Sequence, residues 1–172
     1  MEYSHHSENK GNTMKISHAK NHGKHYVKLL VMMILSYIMM YILMYAMVDR
    51  LENVIPNVNQ FYMAGLMTSP MLIIELLLMG EMYHFKKLNI ALIIIGFLSL
   101  LLFWFAIRKQ TSVGDIQFLK SMIPHHAGAV LMVEESDLKD PQTIELSKKI
   151  ISSQKEEIEF MKKRIKELEE EK

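Results

Sequence analysis

The hydrophobic residues of this chain are concentrated in three long runs, at 27–48, 61–80 and 88–107. Each run is about 20 residues or more, and a helix that rises ~1.5 Å per residue needs about 20 residues to cross the ~30 Å hydrocarbon core of a bilayer. Charges are rare in these runs, and Glu75 is the one carboxylate among them. The pattern predicts three membrane-spanning helices, with the lipid bilayer as a partner.

Polar and charged residues dominate after the third run, and residues 110–172 predict two further helices. The first extends from Ser112 or Gly114 to about Ser136 and contains Pro124. Because proline lacks the backbone N–H, we expect a kink or a helix restart at that position. The second helix begins at Pro141, after an N-cap at 140.

A heptad repeat follows in the second helix, and two of its positions form an apolar seam. The seam residues are Ile144, Ser147, Ile151, Gln154, Ile158, Met161, Ile165 and Leu168. The nearest partner for this seam is the preceding helix, folded back as a hairpin. Two short helices bury little surface, so we expect two copies to pair into a four-helix bundle. The predicted fold is all-α, with three transmembrane helices followed by an extracytoplasmic two-helix hairpin.

The predicted organisation is a His-rich polar tail at 1–26, a membrane domain at 27–109 and a helical domain at 110–172. Five lysines precede or begin the first span, at 10, 15, 20, 24 and 28, whereas the first loop carries only Arg50. Because Lys and Arg accumulate on the cytoplasmic side, we expect a cytoplasmic N-terminus and a C-terminal domain outside. Arg108 and Lys109, which follow the third span, favour the opposite orientation.

The composition limits the kinds of binding site and partner that the chain can have. There are 16 Met, 8 His and no Cys. The absence of cysteine excludes disulfides and thiolate zinc sites. The net charge of +1 gives no argument for a nucleic-acid partner.

The most informative stretch for function joins methionine to a His-His pair. The candidate metal ligands are Met122, His125, His126 and Met132, with Met161 on the facing helix. Thioether sulfur together with imidazole nitrogen favours Cu(I) or Ag(I), whereas zinc sites usually combine Cys, His and carboxylates and calcium sites use mostly oxygen ligands. We expect Gln154 and Glu157 to orient the imidazoles by hydrogen bonds. The alternative is that both histidines are buried core residues.

Two further patterns are ambiguous. Met63, Met67, Met71, Glu75 and Met79 recur every four residues along span two, and Met33, Met40, Met44 and Met47 form a looser set in span one. Methionine packs helices well, which is one interpretation of both sets. The other is that span two lines a path for a soft ion, since an intramembrane carboxylate is costly.

The N-terminal segment contains a second group of histidines: His5, His6, His18, His22 and His25. The last three follow helical spacing and could collect metal on one helix face. The polar composition favours an irregular tail instead.

Residues 115–168 resemble a bacterial family known as domain of unknown function 305. The resemblance rests on Phe118, Met122, His125, His126 and Met132, followed by Gln154, Glu157 and Met161. It implies a ferritin-like helical bundle on the periplasmic or extracellular side of a bacterial cell membrane. It also implies copper or silver binding and resistance, without enzymatic activity. The Glu-x-x-His signature of di-iron bundles is absent.

The leading hypothesis is therefore a non-enzymatic membrane protein that binds Cu(I) or Ag(I) and buffers, sequesters or hands over the ion. The alternative is a soft-metal transporter or channel, because span two resembles that of the high-affinity copper uptake transporters. Their third span contains two glycines four residues apart, whereas here Gly96 is followed by Leu100. A further alternative is a structural membrane protein that oligomerises without metal.

Overall fold

The computed structural model describes the backbone of residues 5–171 and the side chains of residues 23–171. These residues form five α-helices and no strand, which confirms the all-α prediction. The helices are α1 (His5–Leu43), α2 (Val58–Leu78), α3 (Lys86–Lys109), α4 (Asp115–Glu135) and α5 (Pro141–Glu170). Short 3-10 turns occur at Met44–Met47, Leu51–Asn53 and Gly80–Met82.

Three of the helical segments are long and apolar enough to cross a membrane: Gly23–Met47, Val58–Leu78 and Lys86–Lys109. They correspond to the three predicted spans. Many of their apolar side chains are exposed, including Leu30, Ile94 and Phe97. Large apolar surfaces of this kind suit contact with lipid rather than water.

The N-terminal segment differs from the irregular tail that its composition favoured. α1 begins at His5, so the backbone of this segment is helical and continuous with the first span. The proposed ligands His5, His6, His18 and His22 lie outside the residues whose side chains the structure describes.

The chain divides into two compact units, of which the first contains residues 5–38 and 65–102. Its core is formed around Leu29, Leu76 and Tyr83. Gly96 lets α3 approach α2 closely, because a Cβ atom at this position would lie 2.9 Å from Cγ1 of Ile73. A glycine is therefore required by packing at this crossing.

The methionine stripe of span two does not follow a single buried face. In the first unit, Met67 and Met79 are exposed, whereas Met71 and Glu75 are half-buried. The Tyr83 hydroxyl donates a hydrogen bond to Oε1 of Glu75 over 3.2 Å. An ion path along this stripe stays a prediction.

The second unit contains residues 39–64 and 103–171, and α4 packs against α5 within it. The buried core of this hairpin consists of Ile123, Ala127, Val130, Ile158, Met161 and Ile165. All eight predicted seam positions of α5 are buried or half-buried. The heptad pattern thus identified the face of α5 that packs inward.

The ends of α4 and α5 follow their local chemistry. Asp140 is the N-cap of α5, where its carboxylate accepts the Thr143 N–H over 2.8 Å, and Pro141 occupies the first turn as predicted. α4 has Gly114 as its N-cap. The expected restart at Pro124 is wrong, because α4 continues through this residue, and the alternative of a kink there stays a prediction. Proline removes only one backbone hydrogen bond, and the buried core residues on both sides of it favour one continuous helix.

The stretch that joins the first two spans also belongs to the second unit, and residues 44–63 are called the span-linking segment here. Val48 and Ile55 pack against the hairpin core. The Tyr45 hydroxyl donates to the Ile55 carbonyl oxygen over 3.0 Å. The segment therefore folds with the hairpin rather than forming a free loop.

Candidate metal site

A cavity of about 430 Å³ lies between α4 and the span-linking segment, within the second unit. Its soft donor groups come from both sides of the cavity. They are Met122, His125 and Met132 on α4, together with Met44, Met47 and Met63 on the span-linking segment. Five thioethers and one imidazole thus line a single space.

The helical repeat explains which side chains of α4 line this cavity. Residues 122, 125, 129 and 132 are separated by three or four positions and therefore share one face of the helix. Ala129 is small, so it leaves space between the longer donors. His125 is exposed on this face.

Gly128 brings α4 close to the backbone of the span-linking segment. It is buried, and a Cβ atom at this position would lie 3.5 Å from the carbonyl oxygen of Met47. This distance is an ordinary van der Waals separation, and α4 packs here against the 3-10 turn that carries Met44 and Met47.

Hydrogen bonds attach the beginning of α2 to α4 beside the cavity. The Val58 N–H donates to Oε1 of Gln117 over 3.1 Å. Nδ2 of Asn59 donates to the Ser121 hydroxyl over 3.3 Å, and that hydroxyl lies 3.3 Å from Oδ1 of Asn57. Each of these contacts joins residues about 60 positions apart, so tertiary structure brings the two donor groups together.

The lining of the cavity is electrically neutral. None of the residues that line it in the described structure is an Asp, Glu, Lys or Arg. Among the described residues there is also no group of three or more His, Cys, Asp or Glu side chains that could bind a metal ion. The donors near His125 are therefore thioethers and side-chain amides rather than carboxylates.

Comparison with known proteins identifies the family to which this chain is similar. Residues 106–165 match the family model described as Domain of unknown function (DUF305). An uncharacterized protein of Acanthamoeba polyphaga mimivirus is 35% identical over 107 residues, which cover 61% of this chain and 68% of that protein. The chain belongs to the DUF305 family. No solved structure matches it.

The DUF305 segment contains only half of the soft donors around the cavity. Met122, His125 and Met132 lie within residues 106–165. The donors on the span-linking segment all precede that match.

The second histidine of the motif has a different environment. His126 is buried, and its Nε2 lies 2.7 Å from Oε2 of Glu157 on α5. Its Nδ1 is buried and has no hydrogen-bond partner. Hydrogen bonds from Ser153 and His126 lower the pKa of the Glu157 carboxyl. Glu157 therefore contacts an imidazole, as expected, but the one that points into the core.

The five expected ligands do not form one site in the structure. Met122, His125 and Met132 share the cavity, whereas His126 and Met161 are buried in the hairpin and do not line it. The four-residue spacing of Met122 and His126 predicts that they share a helix face and can reach one ion, but only Met122 lines the cavity. Although the two residues are four positions apart, the packing of α5 places His126 in the core. Gln154 is half-buried at its seam position.

Three donors of the cavity were missing from the expected ligand set: Met44, Met47 and Met63. The first two belong to the loose methionine set of span one, and the third begins the stripe of span two. The spacing within each set predicted that its members share a helix face. It did not predict that these faces lie against α4. That information comes only from the tertiary contacts with α4.

Proposed function

We propose that this DUF305 protein binds a soft monovalent metal ion, Cu(I) or Ag(I), and buffers, sequesters or hands over that ion at a membrane. The supporting observation is that His125, Met122 and Met132 line one cavity without charged side chains. The proposed role is binding rather than catalysis.

The donor chemistry supports a soft cation. Thioether sulfur and imidazole nitrogen are ligands that suit Cu(I), and the similar softness of Ag(I) makes it an equivalent probe. Calcium and magnesium prefer oxygen ligands, usually with carboxylates among them, and no carboxylate lines this cavity. Because methionine has a flexible, unbranched side chain, the thioethers can converge on a small ion inside the open space.

The setting of the site is also part of the proposal. The three apolar helices support a membrane anchor. The excess of lysine in the N-terminal segment supports a cytoplasmic N-terminus, with the DUF305 domain on the periplasmic or extracellular side of a bacterial cell membrane. Leu146 and Phe160 are exposed on α5, which supports pairing of two hairpins into a four-helix bundle.

The test is competition titration of the full chain in detergent with Ag(I), and with Cu(I) under reducing conditions. Replacing two α4 donors together, by Met122→Leu and His125→Ala, should weaken Ag(I) binding by at least roughly 100-fold, the upper end of the effect typical of outer ligand contacts. The matched control is Met82→Leu with His84→Ala, which changes the same residue types in a loop outside the cavity.

The control pair should leave the affinity for Ag(I) unchanged. Equal affinities of the wild-type chain and the α4 double variant would contradict the proposed function. Preferential binding of Zn(II) over Ag(I) would contradict the proposed type of metal.

A further inference from the structure

The six soft donors around the cavity come in equal numbers from two parts of the chain. Met122, His125 and Met132 lie in the DUF305 segment. Met44 and Met47 end the first apolar span, and Met63 lies near the start of the second. On its cavity face, α4 thus supplies only two sulfur atoms.

We infer that the metal site is composite, and that the span-linking segment supplies thioether ligands through Met44, Met47 and Met63. This inference rests on the proposed function, because it concerns the same cavity. It assigns ligands to residues outside the DUF305 segment, at the ends of the two membrane spans.

Specific contacts keep the two donor groups on one cavity. α4 packs against the 3-10 turn Met44–Met47 around the buried Gly128. The Val58–Gln117 and Asn59–Ser121 hydrogen bonds hold the beginning of α2 against the same helix. Both elements that carry the additional methionines are therefore attached to α4 by backbone or side-chain contacts.

The residues that line the complete site favour a metal ion that is monovalent as well as soft. Five thioethers and one imidazole provide no negative charge. Burying a cation among neutral groups is costly, and the cost rises steeply with ionic charge. A monovalent ion that forms strong bonds with sulfur fits this lining, whereas Cu(II) and Zn(II) need harder or anionic ligands.

The decisive experiment uses the full chain in detergent and three variants. The triple variant Met44→Leu, Met47→Leu and Met63→Leu removes the thioethers of the span-linking segment at nearly constant side-chain volume. The control triple variant Met32→Leu, Met39→Leu and Met82→Leu changes three methionines that do not line the cavity and lie outside the methionine stripe of span two. The third variant is the α4 pair, Met122→Leu with His125→Ala. Circular dichroism and size-exclusion chromatography verify that each variant folds.

For a composite site, the affinity for Ag(I) should fall by roughly 100-fold in the first triple variant and stay within about twofold in the control. If the α4 pair loses binding while the first triple variant keeps wild-type affinity, the composite site is wrong and the proposed function stands. If the wild-type chain does not bind Ag(I), both are wrong.

X-ray absorption spectroscopy of the wild-type chain loaded with Cu(I) gives a second measurement that does not depend on a variant. More than two sulfur atoms bound to copper would support the composite site, because α4 lines the cavity with two methionines. One or two sulfur atoms, a number that α4 alone can supply, would overturn it.

Discussion

His125 and His126 are neighbours in the sequence but occupy opposite environments on α4. His125 is exposed and lines the methionine-rich cavity. His126 is 7% exposed and binds Glu157 beside the hairpin core. Their ring centroids are 6.1 Å apart. The pair therefore combines a candidate ligand with a residue that stabilises the hairpin.

The geometry of an α-helix explains this division. With 3.6 residues per turn, consecutive side chains point about 100° apart. One face of α4 packs against α5 through Ile123, Ala127 and Val130, and the other face meets the span-linking segment. A His-His pair on a helix packed on two sides thus provides one imidazole to each side. The following predictions test this contrast between a cavity face and a core face.

The largest effect should come from a substitution that leaves a void in the face of α4 that packs against α5. Ile123 is completely buried. Ile123→Ala should destabilise the hairpin by about 3 kcal/mol, because it removes buried methylene groups and leaves a void. Hydrogen exchange of the α5 backbone amides, measured by mass spectrometry, should then accelerate by roughly 100-fold if these amides exchange through opening of the hairpin.

The matched control is Phe118→Ala, on the same helix but at an exposed position. It should change stability by less than about 0.5 kcal/mol. Equal exchange rates in the two variants would contradict the assignment of Ile123 to the core.

An intermediate effect should separate the two histidines directly. His126→Ala should lower the stability of the hairpin by about 1–3 kcal/mol, because a buried hydrogen bond is lost. It should leave the affinity for Ag(I) nearly unchanged. His125→Ala should show the reverse pattern, and both variants are compared by hydrogen exchange and metal titration. Loss of Ag(I) binding in folded His126→Ala protein would contradict the proposed difference in role between the two histidines.

The smallest effect concerns pH. The hydrogen bonds from Ser153 and His126 lower the pKa of Glu157 in the folded state. The stabilisation is therefore present above the unfolded carboxyl pKa of about 4.3 and is lost as pH falls through the lower folded value. Thermal unfolding between pH 6 and pH 3 should show a shallower decline in Glu157→Gln than in wild-type protein. The control Glu156→Gln should retain the wild-type slope.

Most of the fold follows from patterns that are local in the sequence. Apolar length predicted the three spans, and the heptad repeat predicted the inward face of α5. Asp140 and Pro141 predicted where α5 begins. At Pro124 the predicted restart is wrong, because proline chemistry allows a break but tertiary packing decides whether the helix continues.

The candidate site was only partly predictable. Met122, His125 and Met132 were expected as ligands and do share a cavity, but the four-residue spacing had grouped Met122 with His126. Which of two adjacent histidines points inward depends on the position of α5, which periodicity on α4 alone does not determine. Met44, Met47 and Met63 are remote in sequence from α4, so only the folded chain places them beside it.

The openness of the cavity has a consequence for oxidation. Met47 and Met132 are 54% and 53% exposed, so peroxide can reach both side chains. Conversion of a thioether to a sulfoxide adds a hard oxygen and makes the side chain polar. Oxidation would then convert soft thioether donors into polar sulfoxides and weaken the binding of soft ions. A sulfoxide reductase would restore the thioethers.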